Sequence, residues 1–298
     1  MVILIKQYGQ LGNRLFPYAQ FVAHAHKHNY RLLNPAFEDY SEYFKNTDKT
    51  LFGSYPPTIV RSSLFTKKVR RKVFRFIEKG VNFAIRKKWM KSWIHEIVIS
   101  EPSKHFHSDE KFVKLVKRKF VFICTPFHFR DEATLHSNLD IAVNFLKLKD
   151  EHQKNVTNLV DQARENSEIV IGMHIRGGDF RDWLDGRFFY DVHYFQAAVK
   201  KAEKLFEGKK VSFIICSNEE WDIKNFEGSS IYFGTGHLAE DMYTLSQTDY
   251  IIGGYSSYAY WAALSGNVPL FSMLDKNILE ESFDISDFKD VRTFGSIP

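Results

Sequence analysis

Short apolar runs alternate with amphipathic stretches throughout the second half of the chain. The apolar runs predict strands at residues 169–175, 211–216, 231–233, 250–253 and 268–271. The amphipathic stretches between them predict helices at about 192–206, 239–247 and 258–265. Strands that are apolar throughout and separated by single helices are typical of a parallel sheet covered on both faces. The second half is therefore predicted to form an α/β domain.

The first half of the chain has a less regular pattern. An apolar run at 2–6 predicts a strand, a glycine-rich turn covers 9–13, and a helix is expected from 14 to about 28. That order is a β-turn-α unit. The other expected features are loops across 34–63, a buried strand at 120–124 and mostly helical structure at 135–166. We place the domain junction near residue 155, which predicts Rossmann-like domains over 1–155 and 156–298.

The composition agrees with two folded domains. The chain has 298 residues, of which 44% are hydrophobic and 26% charged, the proportions of a globular protein with little disorder. No window approaches the roughly 18 consecutive apolar residues of a membrane span. The apolar run at 2–6 is too short for a signal peptide, so we expect a cytoplasmic protein. Cys124 and Cys216 lie in apolar runs without the spacing of a zinc or redox motif, and we expect them to be buried, reduced thiols.

Positive charge is concentrated in one segment. The formal net charge is +5, but residues 67–91 contain 11 Lys and Arg side chains and a single acid, Glu78. Apolar residues recur among them at helical spacing, which predicts one or two basic amphipathic helices in an insertion over 64–93. No nucleic-acid-binding signature accompanies the charge, so nucleic acid is not expected as a partner. An anionic membrane surface or a phosphate-bearing acceptor fits the segment better, and a helix face that contacts only solvent remains the alternative.

The carboxyl ends of the predicted strands select the candidate site residues, because parallel sheets bind ligands at that edge. The segments at this edge are 174–179, 217–218 and 253–257. His174 and Arg176 leave their strand on the same side, and the two glycines that follow allow the backbone to approach a ligand closely. An arginine fixed there can hold an anionic oxygen. The alternative is a structural ion pair between Arg176 and Asp179 or Asp182.

Two further segments are candidates for anion sites. The glycine-rich turn 9–13, followed by Arg14, precedes a predicted helix whose first N–H groups would attract an anion. An ordinary strand-to-helix turn is the alternative there, because the G-x-G-x-x-G fingerprint is absent. Ser256 and Ser257 stand at the start of another predicted helix. Capping explains one of these hydroxyls, whereas a phosphate at the helix start would explain both.

Taken in order, these segments resemble the GDP-fucose-dependent fucosyltransferases, and most closely the family 11 α-1,2-fucosyltransferases. The family's G-x-L-G-N-x-x-F is present at 9–16, its H-x-R-x-G-D-Y as H-I-R-G-G-D-F at 174–180, and its E-D-x-Y-x-x-S at 240–246. Its S-S-F-S-W-W corresponds to S-S-Y-A-Y-W at 256–261. The resemblance covers most of 1–30 and 165–272, and nothing at about 34–150 matches. Gly177 stands where the family usually has a second arginine.

The resemblance implies a GT-B-like arrangement in which two Rossmann-like domains face each other. GDP would lie on the C-terminal domain and a glycan acceptor mostly on the N-terminal one. Fucose would move from the co-substrate GDP-fucose to an acceptor hydroxyl, with galactose O2 the expected position, with inversion and without a metal ion or other cofactor. A transferase for another nucleotide sugar, or a non-catalytic nucleotide- or glycan-binding relative, remains the alternative.

The resemblance also implies roles for individual residues. Arg176 would stabilise charge on the β-phosphate, His174 would contact the nucleoside, and Asp241 would accept from guanine. The other residues expected to bind the nucleotide sugar are Gly12, Asn13, Arg14, Ser217, Asn218, Ser256 and Ser257. Asn13 is expected to assist catalysis together with Asp179. The general base stays open between Asp179, Asp182 and Asp185, and a basic residue such as Arg14 or Arg181 would replace the missing second arginine.

Overall fold

The computed structural model describes residues 1–60, 66–86, 94–97, 110–123, 129–274 and 284–292. The chain divides into two compact units, Met1–Lys149 and Asp150–Pro298. The expected junction near 155 lies inside a helix that starts at Asp150. Asp150 and Glu151 in the first turn interact favourably with the positive end of the helix dipole.

The first unit contains a four-stranded parallel sheet in the order β2-β1-β4-β3. Its strands are β1 (Val2–Leu4), β2 (Leu32–Leu33), β3 (Ile94–Ile97) and β4 (Phe120–Ile123). Its helices are α1 (Leu11–His28), α2 (Lys67–Arg86), α3 (Glu110–Arg118), α4 (Glu132–Ser137) and α5 (Leu139–Phe145). Short 3-10 turns at Pro35–Phe37 and Ser41–Tyr43 interrupt the loop that follows β2. The core forms around α1, where Phe21 stacks on Phe129 with ring centroids 3.9 Å apart.

The second unit contains a five-stranded parallel sheet in the order β7-β6-β5-β8-β9. Its strands are β5 (Ile169–Ile175), β6 (Val211–Ser217), β7 (Ser230–Phe233), β8 (Tyr250–Gly254) and β9 (Leu270–Met273). Its helices are α6 (Asp150–Arg164), α7 (Val192–Leu205), α8 (Leu238–Leu245) and α9 (Ser257–Gly266). All seven residues of the central strand β5 are buried, as a strand covered on both faces requires.

The α/β class with parallel sheets is confirmed, and several element boundaries differ from expectation by two or three residues. Two of these differences, at α1 and β9, follow from the hydrogen bonds at the element ends. Helix α1 begins at Leu11 because the N–H of Arg14 already bonds to the carbonyl of Gln10, so Gly12 and Asn13 lie inside the helix. Strand β9 begins at Leu270 rather than 268. The N–H of Val268 bonds back to the Ala263 carbonyl and closes the end of α9, where Asn267 has a φ of 56°.

The sequence expectations for cysteine, the basic segment and membrane spans have different outcomes. Cys216 is buried and free, as expected, whereas Cys124 lies outside the described residues. Residues 67–86 of the basic segment form one helix, α2, and 87–91 lie outside the described residues. Among the helices in the described ranges, none combines the length and apolar character that crossing a membrane requires.

Candidate active site

The carboxyl edge of the second sheet brings several of the predicted segments together. His174 near the end of β5 is in register with Cys216 on β6 and Gly253 on β8. The loops that follow these three strands therefore leave the sheet side by side. They carry Arg176 and the residues that follow it, the pair Ser217 and Asn218, and the turn into α9.

His174 is a buried, neutral side chain with an unused polar atom. It is 5% exposed, and its ring stacks on Tyr258 with centroids 4.7 Å apart and planes 18° apart. Burial, with the nearby charge of Arg176, lowers the pKa of His174 to about 3. Its Nδ1 has no hydrogen-bond partner in the described part of the structure. An uncompensated buried nitrogen is costly, so a ligand that contacts His174 could satisfy it.

Arg176 forms the ion pair that the sequence left as an alternative. Its Nη2 lies 2.9 and 3.0 Å from the two carboxylate oxygens of Asp179, and its guanidinium covers the ring of Phe180 at 5.2 Å. The side chain of Arg176 is 15% exposed, whereas that of Asp179 is 60% exposed. The arginine is fixed in place while its carboxylate partner faces solvent. Another anion can therefore compete with Asp179 for the same guanidinium.

Glu219 explains why glycine occupies position 177. A Cβ at Gly177 would overlap the Glu219 carboxylate, which accepts from the Gly178 N–H at 2.8 Å. Gly178 has a φ of 55°, the left-handed region that glycine adopts without strain. The Gly178 bond, opposed by burial and helped by Arg181, keeps the pKa of Glu219 below its usual value. An arginine at 177 would have to displace this carboxylate.

Arg181 is held by the same carboxylate. Its Nη2 lies 3.1 Å from each oxygen of Glu219, and its guanidinium covers the Phe189 ring at 4.5 Å. Gly177, Arg181 and Glu219 line a cavity of about 250 Å³ together with Ile175, Phe189, Tyr190, Asp191, Val192 and Trp221. His174 and Arg176 are not among the residues that line this cavity.

Ser217 and Asn218 stabilise the loops at this edge through hydrogen bonds. The Ser217 hydroxyl accepts from the N–H of Glu219 and from Trp221 Nε1, both at 3.0 Å. The Asn218 side-chain oxygen accepts from the N–H of Gly177 at 2.9 Å. Both side chains thus shape the turns around Gly177 within the second unit.

Asp241 lies on the first turn of α8 and is 4% exposed. Burial raises the pKa of this carboxyl to about 6, although hydrogen bonds from the side chain and backbone of Thr235 and from the Gly236 N–H oppose the shift. The Thr235 hydroxyl donates to Oδ1 at 3.2 Å. Asp241 therefore ties the loop after β7 to α8, and its carboxylate is ionised above about pH 6.

Ser256 is the N-cap of α9, and its hydroxyl accepts from the N–H of Tyr258 at 3.1 Å. Ser257 is the first residue of the helix. Capping accounts for Ser256, and the start of α9 stands at the same sheet edge as Arg176, where a phosphate would also be favoured.

Gly12, Asn13 and Arg14 belong to the first unit, in the first turn of α1. The Arg14 guanidinium is 2.9 Å from an Asp39 oxygen and lies 5.0 Å from the centre of the Tyr40 ring. Burial alone would raise the pKa of Asp39, but Arg14 and Arg71 outweigh it and lower that pKa. Arg14 therefore has a structural partner on its own unit.

Within the described ranges, His152, His237 and Glu240 form the one group of three side chains that could hold a metal ion. His152 Nδ1 lies 2.7 Å from Glu240 Oε1, and the two imidazoles stack 4.7 Å apart. Asn155 donates to the same oxygen at 3.0 Å, and the N–H of Glu240 donates to His237 Nδ1 at 3.3 Å. These contacts link α6 to the start of α8, next to Asp241.

Comparison with known proteins decides the family. The model of glycosyl transferase family 11 matches residues 77–286, which is more than half of the chain. The chain belongs to glycosyl transferase family 11. The family indicated by the sequence motifs is therefore confirmed. A search of curated proteins gave no significant match.

Solved structures with a similar fold are fucosyltransferases. A variant of Arabidopsis thaliana FUT1 in complex with GDP is 12% identical, with a TM-score of 0.56 over 91% of this chain and 70% of that one. NodZ α-1,6-fucosyltransferase soaked with GDP-fucose is 14% identical, with a TM-score of 0.54 over 96% of both chains. The Bradyrhizobium fucosyltransferase NodZ is 14% identical, with a TM-score of 0.53 over 91% of this chain and 94% of that one. At these identities the likeness shows the GT-B-like fold of the family 11 chain.

The described site thus joins residues that the sequence predicted with residues that it did not. His174, Arg176, Asn218 and Ser256 lie at one sheet edge. Glu219 and Tyr258 at the same edge were not predicted. Glu219 follows a predicted strand end by three residues, so inspection of the next positions after that strand would have found it.

Proposed function

We propose that this family 11 protein transfers fucose from GDP-fucose to a glycan hydroxyl with inversion at C1. The observation that carries the proposal is the position of Arg176, fixed at the carboxyl edge of the second sheet beside a buried His174 and the start of α9. Family membership supports transferase chemistry. The GDP and GDP-fucose named for the similar structures support the donor.

In the proposed reaction, an acceptor oxygen attacks C1 of fucose as the bond from C1 to the β-phosphate oxygen breaks. The electron pair stays on the phosphate, and the acceptor proton passes to a carboxylate. Arg176 would exchange Asp179 for the phosphate and bind it more tightly as its charge grows, which lowers the barrier. Asn13, Ser256 and Ser257 are proposed to assist, and Gly12 to let the donor approach. The base is proposed to be Asp179, Asp182 or Asp185.

The nucleoside is proposed to lie at His174 and Asp241. A neutral His174 offers Nδ1 to a donor such as a ribose hydroxyl. An ionised Asp241 accepts from both N–H groups on one edge of guanine, which adenine and uracil do not offer in that arrangement. Ser217 and Asn218 would hold the surrounding loops.

For the missing second arginine we propose Arg181 rather than Arg14. Glu219 fills the space at Gly177 and holds Arg181 near it, whereas Arg14 is paired with Asp39 in the first unit. The first unit, up to about residue 155, is proposed to bind most of the acceptor, and the second unit the donor.

The acceptor position is proposed to be O2 of galactose, which gives an α-1,2 linkage. NodZ is named an α-1,6 enzyme, so the fold does not choose the linkage. A thermal-shift panel of GDP, UDP, ADP, CMP and their sugars tests the donor, and analysis of the product formed on a β-galactoside tests the linkage. Stabilisation by UDP-sugars instead of GDP would favour another transferase. GDP binding without hydrolysis or transfer would favour a non-catalytic relative.

We also propose that the protein contacts the anionic inner face of a membrane through α2. Acids of the first unit pair with Lys67, Arg70 and Arg71 on one side of the helix. A different stripe is exposed and apolar, with Val69, Val73, Phe76 and Phe83, of which Phe76 is 80% exposed. Exposed Lys68, Lys72 and Arg75 each lie one position before a stripe residue, and exposed Lys79 falls on the same side of the helix as these three. An apolar stripe beside a basic one suits an anionic lipid surface.

A further inference from the structure

Exposed apolar side chains lie in the segment that joins β5 to α7, just after Arg176. Trp183 is 41% exposed and Leu184 is 56% exposed, although both follow closely on the buried end of the central strand. Leu184 and Asp185 have φ values of 50° and 57°, a backbone region that residues such as leucine rarely adopt. This turn leaves large apolar groups at the surface beside the proposed phosphate site, where hydrophobic burial alone would not place them.

Trp183 is connected to that site through a continuous set of aromatic rings, which we name the Trp183 platform. Arg176 covers the Phe180 ring, whose centroid is 5.0 Å from that of Trp183. The ring centroid of Trp183 in turn is 6.4 Å from that of Tyr255, and the two ring planes are 27° apart. Phe188 completes the platform by stacking on Tyr255 at 4.7 Å and 11°. Because Tyr255 immediately precedes Ser256, the platform joins the loop after β5 to the loop after β8.

The chemistry of the platform suits one class of ligand. The C–H groups on one face of a pyranose ring pack against the electron-rich face of an aromatic ring. Asp182 and Asp185, both exposed, flank the tryptophan in the chain and can accept from sugar hydroxyls. Two exposed apolar residues are few for a stable protein interface, which buries about 800 Å² on each partner. The nucleoside has its own proposed contacts at His174 and Asp241.

We infer that the exposed ring of Trp183 binds a hexopyranoside unit of the acceptor and holds it beside the donor phosphate. The inference rests on the proposed function, and it adds an acceptor contact on the second unit to those proposed on the first. Trp183 acts here as a specificity and positioning residue, because it offers an apolar surface and no proton.

The test compares three substitutions at the same position. Trp183→Phe keeps an aromatic face, Trp183→Leu keeps apolar volume without a ring, and Trp183→Ala removes both. Binding of methyl β-galactopyranoside, methyl β-glucopyranoside and methyl α-mannopyranoside is measured on the GDP-loaded protein by saturation-transfer NMR and calorimetry. GDP affinity and GDP-fucose hydrolysis without acceptor are measured in parallel. Ile223→Ala, which truncates a side chain 55% exposed on the same unit, is the matched control.

We expect Trp183→Ala and Trp183→Leu to weaken glycoside binding by about tenfold, and Trp183→Phe to retain most of it. GDP affinity should stay within about twofold of the wild type in all three, because the nucleoside contacts proposed at His174 and Asp241 do not involve Trp183, and Ile223→Ala should change nothing. Donor hydrolysis reports separately on Arg176, which reaches Trp183 through the Phe180 ring. If the Ala variant does not fold, the contrast between Phe and Leu still decides the role of the ring.

The inference is overturned if the wild type binds none of the three glycosides, or if Leu performs as well as Phe. An equal loss of GDP affinity in the Trp183 variants would also overturn it, because the ring would then only support the loop. The proposed function fails by a different result, namely no GDP or GDP-fucose binding by the wild type. Glycoside binding by the nucleotide-free protein that depends on Trp183 would then still assign a sugar site to the platform.

Discussion

Two arginine–carboxylate pairs, one in each unit, differ in which partner is buried. Arg70 and Glu38 in the first unit are 8% and 2% exposed, and their Nε and Oε1 atoms are 2.6 Å apart. Arg176 in the second unit is 15% exposed, but its partner Asp179 is 60% exposed. A phosphate can take the place of Asp179, whereas nothing from solvent can reach the place of Glu38. The difference favours Arg176 over Arg70 as an anion site, because Arg176 is fixed while its partner can be replaced.

Burial has a different consequence in each pair. Burial raises the pKa of Glu38 even though the hydrogen bond and charge of Arg70 act in the opposite direction. A pair enclosed in this way is costly to break, because the remaining charge stays buried without a partner. The exposed carboxylate of Asp179 is well solvated after it loses Arg176, so exchange with a ligand costs less.

The largest effect is expected for Arg70→Ala. Loss of one partner of a buried pair should lower the free energy of unfolding by about 3 to 5 kcal/mol. Urea unfolding measures this, with specific transfer activity followed at a temperature where the variant is folded. Activity per folded molecule should be unchanged. A stable but inactive variant would show that Arg70 belongs to the site and would remove the contrast between the two pairs.

Arg176→Ala should lose transfer activity and keep its stability, which is the opposite of what is expected for Arg70→Ala. Losing a donor that stabilises the leaving phosphate costs about 3 to 4 kcal/mol of barrier, or roughly 10² to 10³ in transfer rate, while the fold is retained. The matched control is Arg164→Ala in the same unit, since Arg164 forms an exposed pair with Asp249 before β8, at the other edge of the sheet. Near wild-type transfer by folded Arg176→Ala contradicts the proposed role.

Asp241→Asn sharpens the comparison on the nucleoside side. The variant replaces one acceptor oxygen by an NH2 donor that faces a donor of guanine, which costs about 1 to 3 kcal/mol, so GDP affinity should fall at least about tenfold while UDP and ADP binding change little. Because the pKa of Asp241 is about 6 and the proposed guanine contact needs the ionised form, wild-type GDP binding should also weaken about tenfold between pH 8 and pH 5.

Calorimetry of both proteins across this pH range separates the guanine contact from the structural role of Asp241. Asp241→Asn should lose the pH dependence together with the affinity. His174 is not expected to contribute to the profile, since its pKa of about 3 lies below the range. An Asn variant that binds GDP as well as the wild type would leave Asp241 only its bonds to the loop at Thr235.

Features that depend on local pattern could be predicted from the sequence, whereas features that depend on tertiary contacts could not. The strands of the second unit are continuous apolar runs, and their carboxyl ends correctly placed His174 and Arg176 at one edge. The overlap of Glu219 with position 177 depends on the register between β5 and β6, which no local pattern encodes. The Trp183 platform likewise depends on the left-handed turn at Leu184 and Asp185, and a leucine side chain argues against that conformation.

A smaller effect is expected from the exposed face of α2, which belongs to the same helix as the buried Arg70. Lys72→Glu combined with Arg75→Glu should weaken binding to vesicles that contain anionic phosphatidylserine, since each basic residue near such a surface contributes about 1 kcal/mol. Lys209→Glu with Lys210→Glu makes the same charge change on the second unit and should leave vesicle binding intact. Equal binding of the wild type to neutral and anionic vesicles would reject the contact.

The smallest effect is expected from metal removal. No D-x-D motif stands where it would hold an ion for the diphosphate, and Arg176 is proposed to supply the positive charge there. In the cluster of His152, His237 and Glu240, hydrogen bonds already engage one nitrogen of each ring and one carboxylate oxygen. Transfer in excess EDTA should therefore stay within about twofold of the untreated rate, because the proposed mechanism stabilises charge on the leaving phosphate with fixed side-chain donors instead of a divalent ion. The matched variant is His152→Ala, which removes a ligand from the cluster and should be equally insensitive to EDTA.

Inhibition by EDTA in the wild type but not in His152→Ala would assign an ion to the cluster. Inhibition in both, reversed by magnesium or manganese, would place the ion at the diphosphate and contradict the role given to Arg176.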